Sequence, residues 1–110
     1  MERRIRGIVV VELNGKIDGA RAAATEQRLY AESAGARQLV IDLSGASYVN
    51  SAGLRVLLEA GHRQRSVGGQ MRFCAVPSYI KEVLDVAGLT SIYPVHATRA
   101  AALAEAEAAG

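Results

Sequence analysis

The 110-residue sequence has one cysteine, two histidines and three aspartates, and no apolar run long enough to cross a membrane. A lone Cys74 excludes an internal disulfide and any cysteine-cluster zinc or iron–sulfur site. His62 and His96 stand far apart with no HExxH or CxxC, so metal binding has no ligand set and both read as solvated histidines. Cys74 itself lies in an apolar stretch and reads as an inert core thiol. Ser51 and His62 would share one helix about 16 Å apart, too far for the imidazole to activate the hydroxyl. No phosphate loop, GxGxxG or GxSxG is present. Asp18 and Asp42 are the remaining candidate carboxylate pair, but capping and solvated-edge roles suit them better.

Neither sign of charge dominates. Thirteen basic and eleven acidic residues leave a net charge of +2, too little to argue for nucleic acid. The basic residues Arg55, His62, Arg63, Arg65 and Arg72 lack interleaved aromatics and any nucleic-acid-binding signature, so they read as a solvated face or a face for an acidic protein. The first residues resemble a signal peptide only until Glu12 ends the apolar run. A soluble cytoplasmic domain is expected, with no membrane or nucleic-acid partner and no cofactor.

Apolar residues make up 50% of the chain, but 20 of them are alanine. Ile8–Val11, continuing to Leu13, suits a buried strand. After the Asn14-Gly15 turn, Lys16-Ile17 is extended and Asp18 is placed to cap a helix reaching Ala34. Ala20, Ala23, Ala24, Tyr30, Ala31 and Ala34 recur along that helix, Arg28 and Glu32 pair on its wet side, and Gly35 ends it. Gln38–Leu43 is the second main strand, followed by a short extended Tyr48-Val49. Ser51 opens a helix to about Ser66 whose apolar stripe is Leu54, Leu57, Leu58 and Gly61. Met71–Val76 is the third main strand. Pro77 suits the first turn of a helix with the stripe Ile80, Val83, Leu84 and Ala87, ended by Gly88. Ser91–Val95 predicts a short edge strand. Thr98 caps a final alanine-rich helix to about Ala109, with Leu103 as its only large anchor. Alternating strands and helices predict one α/β domain over residues 1–110, with a mixed, mostly parallel sheet of four to five strands and about four helices.

The junction Tyr48-Val-Asn-Ser-Ala-Gly-Leu54 is the remaining candidate site. A strand end runs into a helix N-terminus, where free N–H groups and the helix dipole welcome negative charge. The plain alternative is that Ser51 merely caps the helix.

Four segments together resemble a STAS domain of the anti-sigma factor antagonist type. They are Leu13–Asp18, Leu39–Leu58, Gly68–Val76 and Val83–Leu89, in order and at the family's spacing. The resemblance implies a binding module and phosphorylation substrate rather than an enzyme. It implies that the unphosphorylated form binds an anti-sigma factor that is also a GHKL-type serine kinase, and so frees a sigma factor. Phosphorylation at the position of Ser51 would end that interaction, and a PP2C-type phosphatase would restore it. The partner-binding residues implied are Asp18, Asn50, Ser51, Ala52, Gly53 and Arg55. Asn50 stands where the family usually has Asp, keeping one acceptor oxygen but no charge. Ala52 stands where a second Ser or Thr is usual, leaving one hydroxyl in the motif. A STAS scaffold or ligand sensor without phosphorylation is the alternative role; a nucleotide-binding or hydrolysing domain fits least.

Overall fold

In the computed structural model, which describes residues 2–5 and 7–109, seven strands and four helices follow one another along the chain. They are β1 (Glu2–Ile5), β2 (Ile8–Glu12), β3 (Gly15–Ile17), α1 (Ala22–Ser33), β4 (Gln38–Asp42), β5 (Ala46–Val49), α2 (Ser51–Ser66), β6 (Gln70–Cys74), α3 (Ser78–Val86), β7 (Val95–His96) and α4 (Arg99–Ala109). A five-stranded sheet has the order β1-β2-β4-β6-β7; β3 and β5 form a separate parallel pair. Only β1 runs antiparallel, folding back on β2; the other neighbours in the large sheet are parallel. The mixed, mostly parallel α/β sheet expected from the sequence is therefore present.

Period-two alternation sends the strands' side chains to two different cores. Val9, Val11, Leu39, Ile41, Met71 and Phe73 join Leu29 of α1, Leu57 of α2 and Ile80 and Leu84 of α3. Ile8, Val10, Val40 and Cys74 face the other way, against Ala102 and Ala106 of α4. Both faces are covered, which is why β2 and β4 read as continuous apolar runs.

Several sequence expectations change in detail. Strand β1 was not expected, because Glu2-Arg3-Arg4 offers no apolar alternation. Helix α1 starts at Ala22, four residues after Asp18; Asp18 instead accepts the Arg21 N–H at 3.2 Å in the preceding turn. Its alanine stripe points outward, with Ala23, Ala24, Tyr30, Ala31 and Ala34 exposed and Leu29 buried. Alanine fits either environment, so its spacing did not fix the buried side. Helix α2 buries Gly53, Val56, Leu57, Ala60, Gly61 and Gln64, leaving Leu58 exposed and Leu54 half-buried. Likewise Ile80 and Leu84 anchor α3, while Ala87 is exposed. Pro77 precedes α3 rather than entering it. The expected strand at Ser91–Val95 is a 3-10 turn over Leu89–Ser91 and then β7, displaced past Pro94.

Glycines close two helices as expected: Gly35 and Gly88 adopt φ of +76° and +86°, a left-handed conformation that costs glycine little. Thr98 accepts the Ala101 N–H at 3.0 Å, capping α4. That helix has more to hold it than Leu103. Two fully buried alanines let it approach the sheet closely. Arg99 also ties its first turn to β2 and β4, through Glu12 at 2.6 Å and Asp42 at 2.9 Å.

Candidate functional site

The junction between β5 and α2 is built by backbone pairing. β3 runs parallel to β5, with Ile17 opposite Val49. The Asn50 N–H then donates to the Ile17 carbonyl at 3.3 Å, so Asp18 and Asn50 leave the two strands side by side. Asn50 is extended and is the N-cap of α2: its Oδ1 accepts the Gly53 N–H at 3.1 Å. Its carbonyl accepts the Leu54 N–H at 2.8 Å, starting the helical ladder.

The cap is therefore Asn50 and not Ser51, which settles the plain alternative raised by the sequence. Ser51 is the first helical residue and is exposed. Aspartate and asparagine both cap well through a side-chain oxygen, so the Asn50 substitution preserves the local geometry while removing a charge.

Gly53 fixes how closely α2 approaches β3. A Cβ on Gly53 would lie 2.0 Å from the Ile17 carbonyl oxygen, well inside contact distance. Gly53 is buried, so it positions the site rather than presenting surface. Ala52 abuts the turn after Asp18, with a Cβ built on Gly19 falling 3.8 Å from the Ala52 Cβ. Asp18 is half-buried, and Arg55, one turn beyond Ser51, is exposed. The fold thus gathers Asp18, Asn50, Ser51, Ala52 and Arg55 at one end of α2, framed by exposed Tyr48.

Sequence reasoning missed an adjoining apolar depression between α2 and α3. It is a shallow hollow of about 310 Å³ lined by Leu54, Glu82, Val83, Val86 and Ala87. Val86 is 91% exposed, which is unusual for a large aliphatic residue. The signal available was Val86 itself, an apolar residue off the α3 stripe.

The other candidate residues fall elsewhere. Asp42 is buried rather than solvated, accepting the Ser44 N–H at 2.9 Å and the Arg99 guanidinium. Burial pushes its carboxyl upward, but the hydrogen bonds from Ser44 and the Arg99 charge outweigh that and leave it below the usual range. Burial pushes the Cys74 thiol up to about 12, as an inert core thiol requires. The basic residues do not form one solvated face. Arg55 and His62 are exposed, Arg63 stacks over Tyr30 at 5.2 Å and Arg65 over Tyr93 at 5.4 Å, while Arg72 is buried beneath the sheet edge. Among the described residues no cluster of His, Cys, Asp or Glu could hold a metal ion, and no helix is long and apolar enough to cross a membrane.

This fold and junction define a STAS domain: the STAS family model matches residues 2–102, and the chain belongs to that family. Its similarity runs to anti-sigma factor antagonists. BtrV of Bordetella bronchiseptica, which carries a provisional name of that kind, is 36% identical over 92% of this chain and 88% of its own. The anti-sigma F factor antagonist of Paenibacillus polymyxa is 30% identical over 93% of this chain and 89% of its own. The crystal structure of an anti-sigma factor antagonist from Mycobacterium paratuberculosis superposes with a TM-score of 0.87 at 28% identity, covering 97% of this chain and 92% of that one.

Proposed function

We propose that this protein is a phosphorylation-switched anti-sigma factor antagonist that works in the cytoplasm. In its unphosphorylated form it binds an anti-sigma factor of the GHKL serine-kinase type through Asp18, Asn50, Ser51, Ala52 and Arg55, with Gly53 holding that surface in place. The kinase transfers the γ-phosphoryl group of ATP to Ser51 Oγ, the hydroxyl proton is lost and ADP leaves. A PP2C-type phosphatase hydrolyses the ester and resets the switch. The protein is the substrate of this cycle and not its catalyst.

The observation that carries the reading is the division of labour between Asn50 and Ser51. Because Asn50 caps the helix, the Ser51 hydroxyl is left exposed and can be modified without removing a cap. A phosphoryl group there adds about −1.5 to −2 charges beside the positive end of a 16-residue helix, where anions are favoured by roughly 0.3–1 kcal/mol. The modification is thus compatible with the fold. Its effect falls on the complex, where a surface shaped for a neutral serine meets a solvated dianion.

Incubation with a GHKL kinase and ATP, followed by mass spectrometry, tests the assignment. Phosphate is expected on Ser51, and Ser51→Ala is expected to abolish labelling. Undiminished labelling of that variant would sink the assignment.

A further inference from the structure

A hollow of about 550 Å³ opens over the C-terminal half of α2, and its wall carries charge of both signs. Glu26 of α1 and Glu59 of α2 supply the carboxylates; Arg63 and Arg65 of α2 supply the guanidiniums. Among the described residues none of these four takes part in an ion pair. The guanidiniums lie instead over the rings of Tyr30 and Tyr93. Leu58 and Ile92 give the hollow its apolar part, and each is 42% exposed.

The order of these residues along α2 selects the partner. Glu59 and Arg63 are four residues apart and share one flank of the helix, the flank beside α1, where Arg63 stacks on Tyr30. Leu58 and Arg65 are seven residues apart and share the other flank, where Tyr93 packs against Gly61 and beneath Arg65. An acidic partner would meet Glu26 and Glu59, and a basic one would meet Arg63 and Arg65. A second copy of this chain meets neither objection. Two α2 helices packed antiparallel about a two-fold axis at the level of Gly61 bring residues before the axis against those after it, on the same flank. Glu59 of each copy then faces the other copy's Arg63. On the second flank, Leu58 of each copy faces the other copy's Ile92 and Tyr93. Both the charged and the apolar contacts are satisfied twice by one arrangement.

We propose that this face of α2 is the interface of a symmetric homodimer, with Leu58 against Ile92 at its centre and Glu59 paired with Arg63 across it. Ser51 is about 15 Å along the helix from the axis, so both hydroxyls stay free at opposite ends of the pair. The inference does not depend on the reading of Ser51.

Sedimentation velocity of the full chain, from about 10 µM to about 1 mM, tests it. One hollow and two exposed apolar side chains per copy place the contact at the small, transient end of protein interfaces, with a Kd on the order of 100 µM. Leu58→Asp should leave the chain monomeric over this range. Glu59→Arg and Arg63→Glu should each weaken self-association by roughly tenfold or more, because each sets like charges opposite one another. Mixing those two variants puts opposite charges face to face again, so the mixture should associate within about threefold of the parent. That rescue also shows that both variants are folded. A chain that stays monomeric throughout, undiminished association of Leu58→Asp, or a mixture no tighter than either variant alone would overturn the proposal.

Discussion

The two ends of α2 handle charge in opposite ways. At the N-terminus the helix dipole is positive, its first turn carries no acidic residue, and a neutral asparagine supplies the cap. At the C-terminus the dipole is negative, and Arg63 and Arg65 lie in the last turn, as the dipole favours. One end presents the positive pole of the helix with no acidic side chain in its first turn; the other sets Arg63 and Arg65 against the negative pole, with Glu26 and Glu59 lining the same hollow. Under the reading above, the first acquires its anion covalently at Ser51, while the second already has its charges matched to the helix dipole.

The largest expected effect separates switching from folding at the N-terminal end. Phosphorylation of Ser51 should lower affinity for the anti-sigma kinase by about 100-fold or more, or about 2.8 kcal/mol at 1.4 kcal/mol per tenfold, through desolvation and charge mismatch across the interface. The melting temperature should barely move. Ser51→Asp, with one charge and less bulk, should reproduce only part of the loss. Binding isotherms and amide spectra of both forms decide it: unaltered affinity, or shifts spread across the whole domain, would mean that the switch is not local.

A lesion on the opposite face of the sheet should affect stability without touching either end of α2. Arg99→Met removes the counter-charge from buried Asp42 and should cost about 2–3 kcal/mol in urea unfolding near neutral pH, the scale of a partly buried charged hydrogen-bond pair. The pH dependence gives its signature. Asp42 has a lowered folded-state pKa, so its contribution is present above the unfolded value, about 3.9, and is lost as pH falls through the folded value. Without Arg99 the Ser44 hydrogen bonds still oppose burial, but the guanidinium's hydrogen bond and charge are lost, so the folded-state pKa lies above the parent's and the variant's deficit should shrink on acidification. A deficit that stays constant down to about pH 3 would show that the Asp42–Arg99 pair does not set the acid limit.

Gly53→Ala probes the frame beneath the N-terminal end. The added Cβ would fall 2.0 Å from the Ile17 carbonyl oxygen, so α2 must move off β3. A loss of about 1–3 kcal/mol is expected, the usual range for overpacking a close contact. Because Asp18 follows Ile17 directly, kinase affinity should fall as well. A folded variant with native stability would mean that the close approach is not required.

How far the sequence reveals the N-terminal end of α2 and the surroundings of Arg72 differs for a physical reason. The N-terminal end is local: strand end, cap, hydroxyl and glycine occupy consecutive residues from Val49 to Gly53, and their order carries the geometry. The Arg72 cluster, on the α4 face of the sheet, is assembled from Gln38, Gln70, Arg72 and His96, which meet only after three parallel strands have found their register. Nothing in the spacing of those residues marks Arg72 as buried, and so it reads as one more solvated arginine. The same limit governs the helix faces. Leu57, Ile80 and Leu84 anchor helices as their periodicity predicts, but alanine stripes are indifferent to burial, and α1 turned its alanines outward. The sheet itself is legible because β2 and β4 are too apolar to be anything but doubly covered, whereas β1, with charge at three of its four residues, is specified by its partner rather than by its own pattern.

The smallest expected effect concerns Asn50, and it separates capping from recognition. Asn50→Ala removes the oxygen that accepts the Gly53 N–H and should cost about 1 kcal/mol of stability. Asn50→Asp keeps that oxygen and adds a negative charge at the positive end of the helix, so it should gain a few tenths of a kcal/mol at low ionic strength, fading as salt is added. Stability alone therefore orders the three forms as Asp, Asn, Ala. Kinase turnover need not follow that order. If Asn50 serves only as a cap, Asn50→Asp should leave phosphorylation kinetics unchanged, because cap geometry is the same for both residues. If the position also meets the kinase, the new charge should alter turnover while stability moves by its small predicted increment. We expect the second outcome, because Asn50 is adjacent to Ser51 and only partly buried, within reach of any surface that engages the hydroxyl. Identical turnover for Asn50 and Asn50→Asp, with the cap contribution intact, would confine this residue to its structural role.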